Sequence, residues 1–158
     1  MAYKLVIFFL FIASLSAQTL VIGGQVDHPL NLTAADLRKM PRTMISASEH
    51  GKEVKFEGVL LKTLLEQAGA PMGARLKGQN MTAAVYFTAK DGYKVVLALA
   101  EIDSAFQENQ ILVADEENGA PLSESQGPFR LVVPEDHKPA RWIRMLQDID
   151  VRTSKEGN

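Results

Sequence analysis

The chain has 158 residues, of which 46% are hydrophobic and 23% are charged, a composition typical of a globular domain with a real core. Its net charge of −2 at pH 7, with no block of like charge, excludes the basic face that a nucleic-acid-binding protein needs. It contains no cysteine, which excludes disulfides, thiolate catalysis, and zinc or iron–sulfur sites built on cysteine.

Residues 1–17 have the pattern of a secretory signal peptide. Lys4 precedes an unbroken apolar run from Leu5 to Ala13, and small residues follow as far as Ala17, which is the three-part layout of such signals. The run is shorter than the roughly 20 residues that a membrane span needs. We expect cleavage after Ala17, leaving residues 18–158 as a single periplasmic or secreted domain with no membrane span. A buried N-terminal strand or helix is the alternative.

The first elements of the mature chain read as strands around one short helix. TLVIGG predicts a strand and HPLNL a second extended piece. Thr33 is placed to cap a helix with Asp36 at its third position, and Pro41 stops that helix by Met40. Residues 43–48 then alternate between apolar and polar, which predicts a strand. EHGKE turns the chain and VKF leads back, so a hairpin is expected here.

The segment GVLLKTLLEQAG predicts the clearest helix. Its apolar residues recur at helical spacing, and Gly69 is a candidate left-handed C-terminal cap; they are Leu60, Leu61, Leu64, Leu65 and Ala68. AAVYFTA and YKVVLALA follow as strands joined by Asp91-Gly92, a strong hairpin signal. Because Val95 to Ala100 are apolar without alternation, we expect that strand to be buried on both faces.

The remaining segments predict a sheet-rich end of the chain. EIDSAF fits one or two helical turns, ILVAD and FRLVVP fit strands, and Asn118-Gly119 between them marks a tight turn. RWIRMLQDIDV fits either a helix or a strand, and we favour a closing strand. The sequence therefore predicts an α+β fold with many strands and two well-defined helices.

Motifs for common enzyme chemistry are missing. The chain has no G-x-S-x-G, G-x-G-x-x-G or H-E-x-x-H pattern, and its three histidines do not pair at metal-ligand spacing. We therefore predict neither catalytic residues nor metal ligands. The basic group after FRLVVP is the exception, because His137, Lys138, Arg141 and Arg144 could form a small anion site beside Trp142. The alternative is that Trp142 packs in the core while nearby carboxylates balance the basic residues in solvent.

Six segments in order resemble the oxidoreductase molybdopterin-binding domain of the sulfite oxidase family, over about Thr19 to Val151: LNLTAADLRKMP, FEGVLLKTLLEQAG, DGYKVVLALAE, NGAPL, GPFRLVVPED and RWIR. The resemblance implies an α+β domain with a few helices and a mixed, twisted sheet wrapped into a barrel-like core. It also implies a pyranopterin that carries molybdenum and a phosphate. In the family's enzymes a cysteine thiolate binds the molybdenum at the end of the strand that corresponds to residues 43–48.

This chain has SASEHG at that strand end, and Ser46, Ser48, Glu49 and His50 are not soft ligands. By position, the residues that the resemblance places near a cofactor or ligand are Ser48, His50, Arg130, His137, Lys138, Arg141 and Trp142. We expect no bound cofactor, although the resemblance allows molybdopterin. The expected role is a non-catalytic or altered ligand-binding module with a small anionic ligand. Two alternatives stay open: a molybdopterin-dependent redox protein with another ligand, and an interaction module with an exported protein partner.

Overall fold

Two five-stranded sheets and three α-helices form the part of the chain that the computed structural model describes, residues 18–154. The first sheet has the order β2 (Leu30–Leu32), β1 (Leu20–Gly24), β10 (Leu146–Arg152), β5 (Ala84–Ala89) and β6 (Lys94–Ala98). The second has β3 (Thr43–Glu49), β4 (Lys52–Leu60), β7 (Leu112–Glu117) and β8 (Ala120–Pro121), with β9 (Arg130–Val132) beside β7. The helices are α1 (Ala34–Arg38), α2 (Leu61–Ala68) and α3 (Leu99–Ile102). The expected signal peptide lies outside the described residues.

The first sheet joins the two ends of the domain. β1 and β10 pair in parallel, with Ile22 opposite Ile149, and β10 pairs antiparallel with β5. This confirms the closing strand, although it starts at Leu146 rather than Arg141. The preceding Pro139–Arg141 segment is a 3₁₀ turn, so only the later part of RWIRMLQDIDV is strand.

The second sheet follows the alternation seen in the sequence. Ile45 and Ala47 of β3 are buried, whereas Met44 between them and the strand start is 61% exposed. β3 and β4 form the expected hairpin through His50 and Gly51, which both have positive φ angles of 50° and 78°. Glycine adopts this left-handed conformation without steric cost, and a histidine does so less readily. The chain therefore reverses direction directly after Glu49, the last residue of β3.

The two main helices begin and end where local signals place them, with one correction. In α1, Thr33 and Asp36 form the reciprocal capping box. In α2 the buried residues are Leu61, Leu64, Leu65 and Ala68, and Gly69 closes the helix at φ 74°. The expected helix began too early, however, because Gly58 and Leu60 pair with β7 and belong to β4. Sheet pairing there outweighs the helical spacing of Leu60.

The expectation that Val95 to Ala100 are buried on both faces is wrong. β6 pairs with β5 at the edge of the first sheet, and Val96 is 46% exposed while Leu97 is 1% exposed. Leu99 and Ala100 already belong to α3. An apolar run without alternation does not show how many neighbours a strand has, so the run alone did not reveal an edge strand.

The α+β class with a mixed sheet is confirmed, while the barrel-like core consists of two sheets that do not close into a barrel within residues 18–154. The buried apolar side chains of both sheets and of the helices form one contiguous core, which includes Phe56, Phe87 and Phe129. None of the described helices has the length and apolar character that crossing a membrane requires.

Candidate functional site

Two adjoining cavities open where β3 turns into β4. The first, the arginine cleft, has a volume of about 290 Å³, and among the side chains that line it are Glu49, His50, Tyr93, Arg130, Trp142 and Arg144. The second, the histidine groove, has a volume of about 490 Å³ and is lined by residues that include Ser48, His50, Pro134, His137, Lys138 and Pro139. His50 and Pro139 line both cavities, which therefore meet at the β3–β4 turn.

Strand geometry places Glu49 at the inner end of the arginine cleft. Side chains two residues apart on a strand point to the same face, so Glu49 follows Ile45 and Ala47 onto the buried side of β3. Its backbone pairs with Lys52 across the hairpin. Only 11% of the Glu49 side chain is exposed. A carboxylate thus ends a row of core residues.

Arg130 meets this carboxylate from β9, which lies in the same sheet as β3. It is the first residue of β9, a strand whose three residues are all buried, and its side chain is 1% exposed. Arg130 Nη2 donates a hydrogen bond to Glu49 Oε1 and Nη1 donates one to Gln126 Oε1. Glu117 lies further away, at 3.8 Å. The pair joins the end of β3 to the start of β9.

Two aromatic rings lie beside the guanidinium of Arg130, and one of its own nitrogen donors has no partner among the described residues. Its guanidinium carbon lies 5.1 Å from the ring centre of Phe56 and 5.8 Å from that of Trp142, which is favourable cation–π geometry. Arg130 Nε is buried and has no hydrogen-bond partner among the described residues. An unsatisfied buried donor is costly and uncommon; among the described residues, Arg42 Nη1 is the other arginine nitrogen in this condition.

Trp142 and Tyr93 form the flat walls of the cleft. Trp142 is 4% exposed, donates from Nε1 to Val133 O at 2.8 Å, and packs edge-on against Phe56 at 5.9 Å. Tyr93, which is 52% exposed, donates from its hydroxyl to Ala140 O at 2.8 Å. That bond ties the β5–β6 hairpin to the 139–141 turn, so both walls are held in place.

The electrostatics of the cleft centre on Glu49. Burial alone would raise the pKa of the Glu49 carboxyl, but the hydrogen bond and charge of Arg130, with the nearby Arg144, hold that pKa below its usual range. Arg144 Nη2 lies 3.4 Å from Glu49 Oε1. The carboxylate is therefore ionised at neutral pH and lies between two guanidinium groups.

Arg141, a predicted site residue, lines neither cavity. Its Nη2 and Nε donate to the two carboxylate oxygens of Asp136 at 2.6 and 2.9 Å, and Nη1 lies 3.2 Å from Glu101 Oε1. Hydrogen bonding to Asp136 raises the pKa of the Arg141 guanidinium, against the effect of its partial burial. Arg141 therefore holds the 134–141 segment against α3 instead of presenting an anion site.

The other predicted residues divide between the two cavities. Arg130, His50 and Trp142 line the arginine cleft, while Ser48, His137 and Lys138 are exposed residues of the histidine groove, where Glu135 and Asp136 add negative charge. Trp142 packs in the core, as one of the two interpretations of the sequence predicted. Of the anion site expected beside Trp142, His137 and Lys138 lie in the histidine groove, Arg144 lines the arginine cleft and Arg141 lines neither.

Sequence reasoning missed Glu49 and Tyr93 as residues of the cleft. Glu49 had a usable signal: the alternation of residues 43–48, extended by one position, puts it on the buried face of β3. A carboxylate on a buried face needs a cation, and Arg130 sits in the apolar segment FRLVVP. Arg144 was predicted as a member of the anion site beside Trp142, whereas Tyr93 carried no such signal, since it is an exposed side chain next to the β5–β6 turn.

The chemistry that this arrangement can perform is binding and charge pairing. In residues 18–154 no group of three or more histidine, cysteine, aspartate or glutamate side chains is arranged to hold a metal ion. The cleft offers arginine donors, the internal carboxylate of Glu49, the exposed carboxylate of Asp91, an imidazole and two aromatic walls. These groups can hold a small polar ligand by hydrogen bonds and ring contacts.

Comparisons with known proteins agree with this fold. The family model described as oxidoreductase molybdopterin binding domain matches residues 12–158. Among solved structures, the chain is similar to the crystal structure of the sulfane dehydrogenase SoxCD from Paracoccus pantotrophus, with a TM-score of 0.68 and 21% identity. The likeness covers 86% of this chain and 39% of that chain, so it shows the fold alone, over well under half of the longer chain. No curated protein matches the sequence.

Proposed function

The chain belongs to the oxidoreductase molybdopterin binding domain family, and from this premise we propose that it is an exported, non-catalytic member that binds a small ligand in the arginine cleft without molybdenum. One observation carries the proposal. The end of β3, where the family resemblance puts a molybdenum-binding thiolate, bears Glu49, and this residue is already paired with Arg130. Activity depends on the residues of a site, not on the fold that holds it.

The donors at the end of β3 do not fit the molybdenum of the family's enzymes. A thiolate is soft and anionic, whereas the groups here are serine hydroxyls, a carboxylate and an imidazole. The whole chain has no cysteine to supply the missing ligand. We therefore assign no oxygen-atom transfer or other redox step to this cleft.

The charges of the site also argue against anchoring a pterin phosphate through the arginines that the resemblance suggested. Arg130 is paired with Glu49, and Arg141 with Asp136 and Glu101. A phosphate would have to displace these carboxylates before it could use the same donors. Both observations favour a role without the molybdenum cofactor over the redox alternative.

The shape of the site supports a small-molecule ligand rather than a protein partner. The arginine cleft is concave, has the aromatic walls Tyr93 and Trp142, and brings several polar groups together at its inner end. Its volume of about 290 Å³ lies near the lower end of the roughly 300–1,000 Å³ range of ligand pockets. Interfaces between proteins are broader and flatter. Export is supported by the pattern of residues 1–17.

Metal and pterin content test the proposal. The protein is purified from a host that makes the molybdenum cofactor, molybdenum is measured by elemental mass spectrometry, and pterin is measured by fluorescence after oxidation. We expect far less than one equivalent of each and no oxidation of sulfite. A cysteine-containing enzyme of the family, made in the same host, is the control for cofactor supply. One equivalent of molybdenum in this protein would overturn the proposal.

A further inference from the structure

Arg130 carries a positive charge that the protein itself has to balance. A guanidinium group remains protonated throughout the accessible pH range, and this one is 1% exposed. A buried charge without a counter-ion is strongly unfavourable. Two carboxylates are near enough to act: Glu49, in direct contact, and Glu117, at 3.8 Å. Glu49 is therefore its main counter-ion.

Glu49 is shared by a second arginine at the mouth of the cleft. Arg144 is 50% exposed, and its Nη2 lies 3.4 Å from the same Glu49 oxygen that Arg130 contacts. One guanidinium is thus buried behind the carboxylate and the other reaches it from the solvent side. Two arginines that converge on one point are the arrangement by which proteins recognise carboxylates and other oxyanions.

The pairing with Glu49 does not satisfy every hydrogen-bond donor of Arg130. Arg130 Nε remains a buried donor without a partner among the described residues, and it belongs to a side chain that lines the cleft. The cleft volume of about 290 Å³ leaves space next to the carboxylate. A buried donor of this kind favours the entry of a group that can accept a hydrogen bond.

We infer that Arg130 and Arg144 form an oxyanion site that Glu49 occupies from within the chain, so that Glu49 determines which ligands the cleft accepts. Its charge excludes small carboxylates and tetrahedral oxyanions from the wild-type protein and leaves the cleft to ligands without net negative charge. The inference deepens the proposed function by naming the ligand class. It rests on that function, because a bound pterin phosphate would compete for the same arginines.

Chemical rescue of Glu49→Ala tests this inference. The substitution removes the internal anion and leaves space for acetate, which restores a carboxylate of nearly the same shape. Thermal unfolding is measured near neutral pH in sodium acetate, in sodium phosphate and in sodium chloride at equal ionic strength. We expect acetate or phosphate to raise the Tm of the variant by about 3 °C or more over chloride. The wild-type Tm should rise clearly less, because the wild type shows only the general stabilisation that phosphate and similar salts give to a folded protein.

Two further variants make the result specific. Glu53→Ala is the matched control, since Glu53 is exposed on the other strand of the same hairpin, opposite Ser48; its response to acetate should equal that of the wild type. Adding Arg144→Ala to Glu49→Ala should weaken the rescue, because one of the two guanidinium groups is lost. A rescue by acetate alone indicates a carboxylate-sized site, and a rescue by both anions indicates a general oxyanion site.

The outcomes separate this inference from the proposed function. If acetate and phosphate raise the Tm of Glu49→Ala no more than that of Glu53→Ala, the inference is overturned and the proposed function still stands. If Glu49→Ala is unfolded in chloride, acetate or phosphate must restore its native circular dichroism, and Glu49→Gln is compared in the same way; failure of both variants also overturns it. Molybdenum in the wild-type protein overturns the proposed function whatever the variants do.

Discussion

Glu49 and Arg130, which are 81 positions apart in the sequence, form an ion pair between the end of β3 and the start of β9. The arginine is almost fully buried and the carboxylate nearly so. This pair places a carboxylate that is ionised at neutral pH at the end of β3. The charge distribution in the arginine cleft therefore depends on this ion pair.

The pair makes stability depend on pH in the acid range. The folded-state pKa of Glu49 is below its ordinary value of 4.5, so its stabilisation is fully present above that value and is lost as pH falls through the lower, folded-state pKa. We expect the free energy of unfolding of the wild type to fall between about pH 6 and about pH 3. Urea denaturation at both pH values, compared with Glu49→Gln, measures the contribution of this group.

At neutral pH, Glu49→Gln should lower the free energy of unfolding by about 3 kcal/mol, because the buried Arg130 loses its main counter-ion and keeps only the more distant Glu117. Glu53→Gln, on the exposed face of the same hairpin, should change it by less than about 0.5 kcal/mol. The gap between the variants should narrow in acid. A gap that stays constant down to about pH 3 would show that the Glu49 charge is not the source.

Leu64→Ala tests the packing of α2. Leu64 is completely buried in the core, and truncating such a leucine costs about 2–5 kcal/mol through lost burial and the cavity left behind. Gln67→Ala on the exposed side of the same helix should cost less than about 0.5 kcal/mol. Chemical denaturation of both variants measures the difference, and equal values would contradict the assigned helix face.

Arg141→Ala should loosen the 134–141 segment without affecting ligand binding in the cleft. Arg141 joins Asp136 to Glu101 of α3, and since it is partly exposed we expect a cost of only about 1 kcal/mol. Hydrogen exchange should become faster in peptides that cover residues 134–142. Lys138→Ala, at an exposed position of the same segment, is the control. Unchanged exchange in Arg141→Ala would mean that these ion pairs do not hold the segment.

An exported protein loses its signal peptide, so we expect the native chain to be shorter than the full sequence. Residues 1–17 have the signal-peptide layout, and β1 starts only at Leu20, so cleavage after Ala17 leaves the first sheet intact. Mass spectrometry of the protein isolated from its native cells should find Gln18 as the first residue, in an extracytoplasmic fraction. Removal of residues 1–17, with Lys4, changes the net charge from −2 to −3. A native chain that begins at Met1 or Ala2 would refute the prediction.

Local features of the fold could be predicted from the sequence because they depend on neighbouring residues. The capping box of Thr33 and Asp36, the Gly69 cap of α2, and the alternation of β3 all follow from backbone geometry within a few positions. The lack of cysteine likewise needs no structure to exclude a thiolate ligand. Such local patterns indicated the α+β class, while the family resemblance rested on six sequence segments in a fixed order.

The candidate site depended on contacts that no local pattern encodes. The pairing of Arg130 with Glu49 depends on how β3 and β9 are arranged in space. The pairing of Arg141 with Asp136 and Glu101 likewise depends on the position of α3. The exposure of Val96 depends in the same way on β6 being the last strand of its sheet. The energy of an ion pair, and the burial of a strand, are set by neighbours that are distant in sequence. Side-chain periodicity and backbone preferences extend over only a few residues, so the pairing of Glu49 with Arg130 became visible only in the assembled sheets.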